Sequence, residues 1–319
     1  MQPPSSSPHP VALVTGAYGT IGHYVALKLA ASGYDVIGLG NPGALPPATA
    51  PDSRIQLIAG AVNLTTLRAL PRLPSVIVHC AGGSSVGAAI ANPHQDFHRT
   101  VTSTSDVLEF IRTACPQARL VYPSSAAVYG CTDRLPMRPG DPVQPSSSYG
   151  LHKLLAEQLI QDRSLNTGIH AVIIRLFSVY GEGFRKQLLW DACRKITAGH
   201  IDFFGTGDES RDWLHVSDTA ELIHLAIARA STHCPVVNGG SGERITVRAV
   251  LTELFDQLAP GTLPRFCGTI RPGDPLHFHA DPGETLNWNW RASVHWKEGV
   301  RRYADWFRHQ QTLPPRRPS

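Results

Sequence analysis

Tyr149 and Lys153 stand four residues apart in the stretch Ser147-Ser148-Tyr149-Gly150-Leu151-His152-Lys153. On a helix that spacing brings both side chains to one face. A free phenol has a pKa of about 10 and is a poor base at neutral pH. A cation held close favours the phenolate and pulls that value down. The pair is therefore suited to general acid/base work on a hydroxyl group. The spacing occurs in many chains by coincidence, so its weight depends on what surrounds it. Here Ser124-Ser125 supplies a hydroxyl upstream, and a glycine-rich turn lies near the N-terminus.

The elements that must position these groups can be read in order. Val11 to Thr15 is a short apolar β run that ends in Gly16-Ala17-Tyr18-Gly19-Thr20-Ile21-Gly22, and an amphipathic stretch follows to Ala31. In a strand–turn–helix, Gly16 allows the tight turn, Gly19 lets backbone approach a pyrophosphate and Gly22 lets helix pack on strand. The helix N-terminus then faces the phosphates. The plain alternative is an ordinary βα turn. Tyr34 to Gly40 reads as a second strand, Ile55 to Ile58 as a third and Ser75 to His79 as a fourth, running into Cys80-Ala81-Gly82-Gly83. Pro93 to Thr113 reads as helix and Arg119 to Tyr122 as a fifth strand. Ser146 to Asn166 is a long helix carrying the Tyr/Lys pair, closed by Gly168, and His170 to Leu176 is a sixth strand. Alternating strands and helices predict an α/β fold, a doubly wound parallel sheet of Rossmann type. Its ligands belong beyond the carboxyl ends of the strands.

An acidic residue about 20 positions after the glycine turn would hold the adenosine ribose. This chain has Gly40 and Asn41 there, and Arg54 is a distant candidate for a 2′-phosphate. NAD and NADP both remain open, with NAD favoured.

Composition narrows the class. With 319 residues there is material for one large domain or two intimate ones. A net charge of +4 is too small and too dispersed to argue for nucleic acid. The six cysteines show no Cys-x-x-Cys spacing, which suggests neither zinc nor a redox pair. They read as reduced thiols of a cytoplasmic protein. No apolar run reaches about 18 residues, so no membrane span is expected. The Pro/Ser-rich start, residues 1–10, reads as a disordered lead-in rather than a signal peptide. Residues 312–319 read as the matching tail, and Pro42 to Pro51 as a surface loop. His215, His277 and His279 have no ligand spacing that argues for metal. Trp288, Trp290, Trp296 and Trp306 read as packing aromatics.

Taken together, the chain resembles the extended short-chain dehydrogenase/reductases of the nucleotide-sugar epimerase/dehydratase kind. The resemblance rests on Gly16-x-x-Gly19-x-x-Gly22, on Ser124-Ser125-Ala126-Ala127-Val128-Tyr129-Gly130 and on Tyr149-x-x-x-Lys153. Arg175-Leu-Phe-Ser-Val-Tyr-Gly181, Arg211-Asp212-Trp213 and Arg271-Pro-Gly-Asp274 extend it. It implies a dinucleotide-binding domain over 11–176, joined by about 210–240, and a smaller C-terminal α/β substrate-binding domain over 177–311. Tyr149 would take the proton of a sugar C4 hydroxyl as hydride leaves for the nicotinamide. Ser125 would bind the same oxygen, and Lys153 would hold the nicotinamide ribose. Gly16, Tyr18, Gly19, Thr20, Ile21, Gly22, Asn41, Ala81, Gly82 and Gly83 would line the cofactor. Ser84, Ser178, Arg211 and Arg271 would meet a nucleotide-diphosphate sugar. The family commonly forms homodimers through the Tyr/Lys helix and the helix before it.

The departures carry information too. The family's 4,6-dehydratases have an Asp-Glu pair where this chain has Ala126-Ala127, and its decarboxylases have a glutamate in that segment. Ser178 replaces a usual asparagine, and Ala61 an aspartate that contacts adenine. The resulting expectation is an NAD(P)-dependent 4-epimerase. A 4-ketoreductase of a 4-keto-6-deoxy nucleotide sugar is the first alternative and a non-catalytic dinucleotide sensor the second.

Overall fold

The computed structural model describes residues 9–42, 52–269 and 276–312. The Pro-rich stretch from 43, Arg271, residues 1–8 of the lead-in and residues 313–319 of the tail therefore lie outside the described residues, while Thr312 ends a helix. Contacts divide the chain into two compact units. One holds the chain up to Val128, Ser147–Arg175 and Ala220–Val236; the other holds Tyr129–Ser146, Leu176–Thr219 and the chain from Val237. The segment 129–146 thus groups with the second unit, and the stretch returning to the first begins at Ala220 rather than near 210.

The first unit is built on β1 (Val11–Thr15), β2 (Asp35–Gly40), β3 (Ile55–Ala59), β4 (Val76–His79), β5 (Arg119–Ser125) and β6 (Ala171–Leu176). The sheet is seven-stranded, in the order Val236–Gly239, β6, β5, β4, β1, β2, β3. The pairs from β3 to β5 are parallel, with Leu13 of β1 opposite Ile37 on one side and Ile77 on the other. β1 and β4 are buried along their whole length, as expected of strands covered on both faces. The order reverses between β1 and β4, the switch point at which such sheets bind ligands. The turns at Gly16 and Ala81 both open there.

Helices α1 (Thr20–Ala31), α2 (Leu64–Arg68), α3 (Val86–Ala91), α4 (Pro93–Phe97), α5 (Ser103–Ala114) and α6 (Ser148–Thr167) complete this unit. The helix predicted from Pro93 exists, but a π-turn at His98–Thr102 separates α4 from α5. Short α2 and α3 lacked a periodic signal; the side chains of Asn63 and Ser85 cap them. β5 runs past its predicted end at Tyr122 to Ser125. Its register with β4 stops at Val121, so Pro123, which has no N–H, sits beyond that ladder. The core packs Leu13, Ile37 and Ile77 against Phe110, Ile111 and Ile160.

In the second unit, Ser178–Tyr180 pairs in parallel with Trp213–His215, and Ser210–Arg211 pairs antiparallel with Ile245–Thr246. Helices Gln187–Thr197, Val247–Leu258 and Trp296–Thr312 accompany them. Among the described residues, no helix is long and apolar enough to cross a membrane.

Candidate active site

Gly16 adopts φ +71, open to glycine and strained for other residues. A side chain there would also strike the backbone of Cys80 and Ala81 at 2.8–2.9 Å. A Cβ on Gly22 would overlap the Gly16 carbonyl, and one on Gly19 would meet the same carbonyl at 3.3 Å. The turn is thus a cradle that a methyl group would fill. No acidic residue sits in the first turn of α1 and no side chain caps it, so its N–H groups suit a phosphate. Thr15 Oγ1 accepts the Ala81 N–H (3.2 Å) and pairs with His79 Nδ1 (2.7 Å), joining the ends of β1 and β4. Burial pushes the His79 pKa down to about 3, keeping the imidazole neutral, and its Nε2 reaches Thr104 of α5 at 3.2 Å. Tyr18 lays its ring 3.3 Å from where a Cβ on Gly40 would stand. Arg54 donates to the Ala30 carbonyl at the end of α1. These residues fit a dinucleotide.

Helix α6 buries a stripe of polar residues. His152, Lys153, Glu157 and Ser164 are buried alongside Ala156 and Ile160. Ser147 caps the helix through the Gly150 N–H (3.1 Å), and Gly168 ends it at φ +74. Buried polar groups need partners. Lys153 Nζ donates to the Pro123 carbonyl (3.0 Å), lies 4.8 Å from the centre of the Tyr122 ring and borders Gly82. An ammonium has three N–H donors, so this geometry leaves capacity for ribose hydroxyls. Burial lowers the lysine pKa to about 8, against the opposing influence of Cys80, Glu157 and Asp96. Glu157 accepts from Ser124 Oγ (2.5 Å) and from Arg175 Nη2 (2.8 Å) and Nε (3.2 Å). That buried pair ties α6 to the ends of β5 and β6.

Ser125 shares a hydrogen bond with the Tyr149 phenol and accepts the Ala127 N–H at 3.2 Å. The two hydroxyls are therefore brought together. The electrostatics differ from the sequence-based expectation. Burial raises the Tyr149 pKa; the Ser125 hydrogen bond opposes that rise, and the Asp96 carboxylate adds to it.

One pair escaped the sequence reading. His152 Nδ1 lies 2.6 Å from Asp96 Oδ2, both side chains being buried. The available signal was a histidine inside the Tyr-x-x-x-Lys motif itself.

Of the other expected residues, Asn41 and Ser84 are exposed. In the second unit, the Ser178 N–H is bonded to the Asp212 carbonyl (3.0 Å). Arg211 donates to the carbonyls of Ser210 (2.9 Å) and Leu276 (3.2 Å). It lines a cavity of about 690 Å³ with Lys195, Phe203, Phe204 and Glu209. The Asp212 carboxylate is not a ligand candidate: it accepts from the N–H groups of Ser241, Gly242 and Ala280. The four tryptophans near the C-terminus match packing roles where their contacts are given, Trp290 being buried and Trp306 lying against Tyr303 at 5.3 Å.

Comparison with known proteins gives the family and the fold. Residues 12–240 match the sequence model of the NAD dependent epimerase/dehydratase family. A UDP-glucose 4-epimerase of Azospirillum brasilense is 30% identical, covering 88% of this chain and 87% of its own. One from Corynebacterium glutamicum is 30% identical over 82% and 84%. Among solved structures, DesIV (dTDP-glucose 4,6-dehydratase) from Streptomyces venezuelae, with NAD and TYD bound, superimposes with a TM-score of 0.85. It is 25% identical, over 94% of this chain and 98% of that one. The chain is thus an NAD(P)-dependent enzyme, and it belongs to the NAD dependent epimerase/dehydratase family.

Proposed function

We propose that this enzyme is a nucleotide-sugar 4-epimerase acting on a UDP-hexose. The observation that carries this reading is the Ser125, Tyr149 and Lys153 set in an environment where Ala126 and Ala127 follow the serine. A dehydratase must move protons at C5 and C6 as well as C4, and these alanines cannot do so. Inversion at C4 needs only one hydroxyl oxygen held and one proton moved.

NAD, when bound, would supply reversible hydride chemistry at the sugar C4. Gly16, Tyr18, Gly19, Thr20, Ile21 and Gly22 would hold its pyrophosphate half, with Asn41 near the adenosine and Ala81, Gly82 and Gly83 along the nicotinamide side. The chain's own residues do the remainder. Lys153 holds ribose hydroxyls with the donors that Pro123 leaves. Ser125 binds the C4 oxygen and orients it toward the phenol. Tyr149 would act as the phenolate, the positive charge of the oxidised nicotinamide offsetting the burial that raises its pKa in the free chain, and would take the C4 proton and give it back after hydride returns. Arg211 and Arg271 would bind the diphosphate, for which a guanidinium fork is suited, and Ser84 and Ser178 the rest of the substrate. A homodimer paired through α5 and α6 belongs to this reading; Leu151 and Leu165 leave apolar surface exposed on α6.

Gly40 favours a second reading. With no carboxylate at the ribose, a cofactor that exchanges at every turnover would suit a 4-ketoreductase. The deciding experiment incubates the purified enzyme with UDP-glucose and UDP-galactose in deuterium oxide and follows products by NMR. A 4-epimerase interconverts the two, consumes no added cofactor and leaves solvent deuterium out of the sugar. Deuterium at C5 with loss of water would sink the proposal in favour of dehydration. Inertness toward both hexoses, with NADPH consumed on a 4-keto-6-deoxy sugar nucleotide, would establish the reductase instead.

A further inference from the structure

Asp96 and His152 have no part in the chemistry described so far, yet their placement is unusual. Asp96 is 5% exposed and His152 7%. A buried carboxylate at 2.6 Å from an imidazole nitrogen is a short, charge-assisted hydrogen bond. An ionised carboxylate can only accept, so Nδ1 must carry the proton. His152 projects from α6 between Tyr149 and Lys153, and the Phe97 ring meets it edge-on at 5.5 Å. Asp96 projects from α4. Its other oxygen presses on Gly83, where a Cβ would overlap Oδ1 and stand 2.8 Å from Cγ.

The turn Ala81–Gly83 is therefore held from several sides. The Gly83 N–H donates to Thr100 Oγ1 at 2.8 Å, from the π-turn. A Cβ on Gly82 would stand 3.4 Å from that Thr100 oxygen and 3.6 Å from Lys153 Nζ. π-turns within helices often mark functional positions, and this one places Thr100 under the turn while Asp96 seats against Gly83.

We propose that Asp96 and His152 form a positioning dyad for the Tyr149/Lys153 chemistry. It locks the first turns of α6 to α4, holds the Ala81–Gly83 turn between them and places one fixed negative charge behind the phenol and the ammonium. The proposal rests on the reading of Tyr149 and Lys153 as the reacting pair. Groups facing Asp96 are His152, Tyr149 and Lys153 from α6 and Tyr122 from β5. Lys153 is in turn faced by Cys80 from the end of β4 and by Glu157 from its own helix. The carboxylate makes the phenol hold its proton more firmly and supports the charge on Lys153. Replacing it by a neutral group of the same shape leaves packing in place and removes only the charge.

The test is a phenolate titration of the full-length protein in the near ultraviolet, with the Tyr149→Phe protein subtracted. Asp96→Asn is expected to lower the Tyr149 pKa by about half a unit to one unit. In turnover of UDP-galactose, the acid limb of the kcat profile should move down by the same amount. His152→Ala should lower kcat about tenfold or more with KM changed less than about threefold, and His152→Gln should recover part of the loss, because an amide can still donate to Asp96. An unchanged phenolate titration in a folded Asp96→Asn protein overturns the dyad, whatever the activity does. Failure of the wild type to turn over any sugar nucleotide overturns the function instead, and the titration still decides the dyad. Should Asp96→Asn not fold, the histidine-labelled wild type decides: the dyad requires His152 as the Nδ1–H tautomer with a slowly exchanging proton, and the Nε2–H tautomer rules it out.

Discussion

Lys153 should make this enzyme less stable than it could be, and the deficit should disappear in base. Its pKa falls from the ordinary 10.5 to about 8 through burial. The difference of about 2.5 units corresponds to about 3 kcal/mol at roughly 1.4 kcal/mol per unit. The folded value lies below the unfolded one, so at neutral pH both states carry the proton and the full penalty stands. Between about pH 8 and pH 10.5 the native chain has released its proton while the unfolded chain keeps it, so stability rises with pH. Above that window both are neutral and the penalty is gone. Lys153→Met keeps most of the volume and removes the charge. At pH 7 it is expected to raise the free energy of unfolding by up to about 3 kcal/mol, less whatever the bond to Pro123 contributes, and to abolish turnover. Urea unfolding of both proteins, followed by circular dichroism at pH 7 and again near pH 10, measures this. The difference should be largest at the lower pH and shrink toward zero at the higher. Because other groups titrate in both proteins, only the difference between them matters. A Lys153→Met protein of equal or lower stability at pH 7, with a pH-independent gap, would refute the placement of a desolvated ammonium in this site.

Three further outcomes follow from the geometry. Gly22→Ala drives a methyl group into the Gly16 carbonyl, with the Gly16 carbonyl carbon at 2.7 Å; overpacking against backbone costs about 1–3 kcal/mol, so NAD affinity measured by calorimetry should fall about tenfold to a hundredfold. Glu157→Leu and Arg175→Met should each destabilise by about 3–5 kcal/mol, because either leaves a buried charge unpaired. The double variant should cost far less than their sum in urea unfolding, and additive losses would show the pair to be uncoupled. Tyr149→Phe should reduce epimerisation by about a hundredfold or more while leaving NAD bound, as quantified by the nucleotide released on denaturation.

How much of this was legible in the sequence depended on whether the signal was local. Gly16, Gly19 and Gly22 could be assigned because each meets a steric demand set within one turn. The parallel sheet followed from alternating apolar runs, and the end of helix α6 from Gly168. What could not be read were pairings across the chain. Asp96 and His152 are 56 positions apart, and only the packing of α4 on α6 joins them. The net direction of the Tyr149 pKa depends on burial and on Asp96, neither of which the four-residue spacing could show. The π-turn and α3 were invisible because neither has a periodic pattern of its own. Arg271 lies outside the described residues, so its role stays with the proposal.

The loss of the ribose carboxylate is better understood as an exchange of side chains than as a deletion. A Cβ at Gly40 would stand 3.3 Å from the Tyr18 ring and 3.4 Å from Gly16 Cα, tighter than ordinary van der Waals contact. The room beside the end of β2 is thus taken by Tyr18, a residue of the glycine turn. A ring in that place offers a flat apolar surface and no charge, so it neither attracts ribose hydroxyls as an anion would nor repels a phosphate. Arg54, the basic group considered in the sequence for a 2′-phosphate, donates one of its five N–H groups to the Ala30 carbonyl. Under the proposed epimerase, retention of the cofactor would then rest on the pyrophosphate cradle at Gly16–Gly22 and on the Lys153 side.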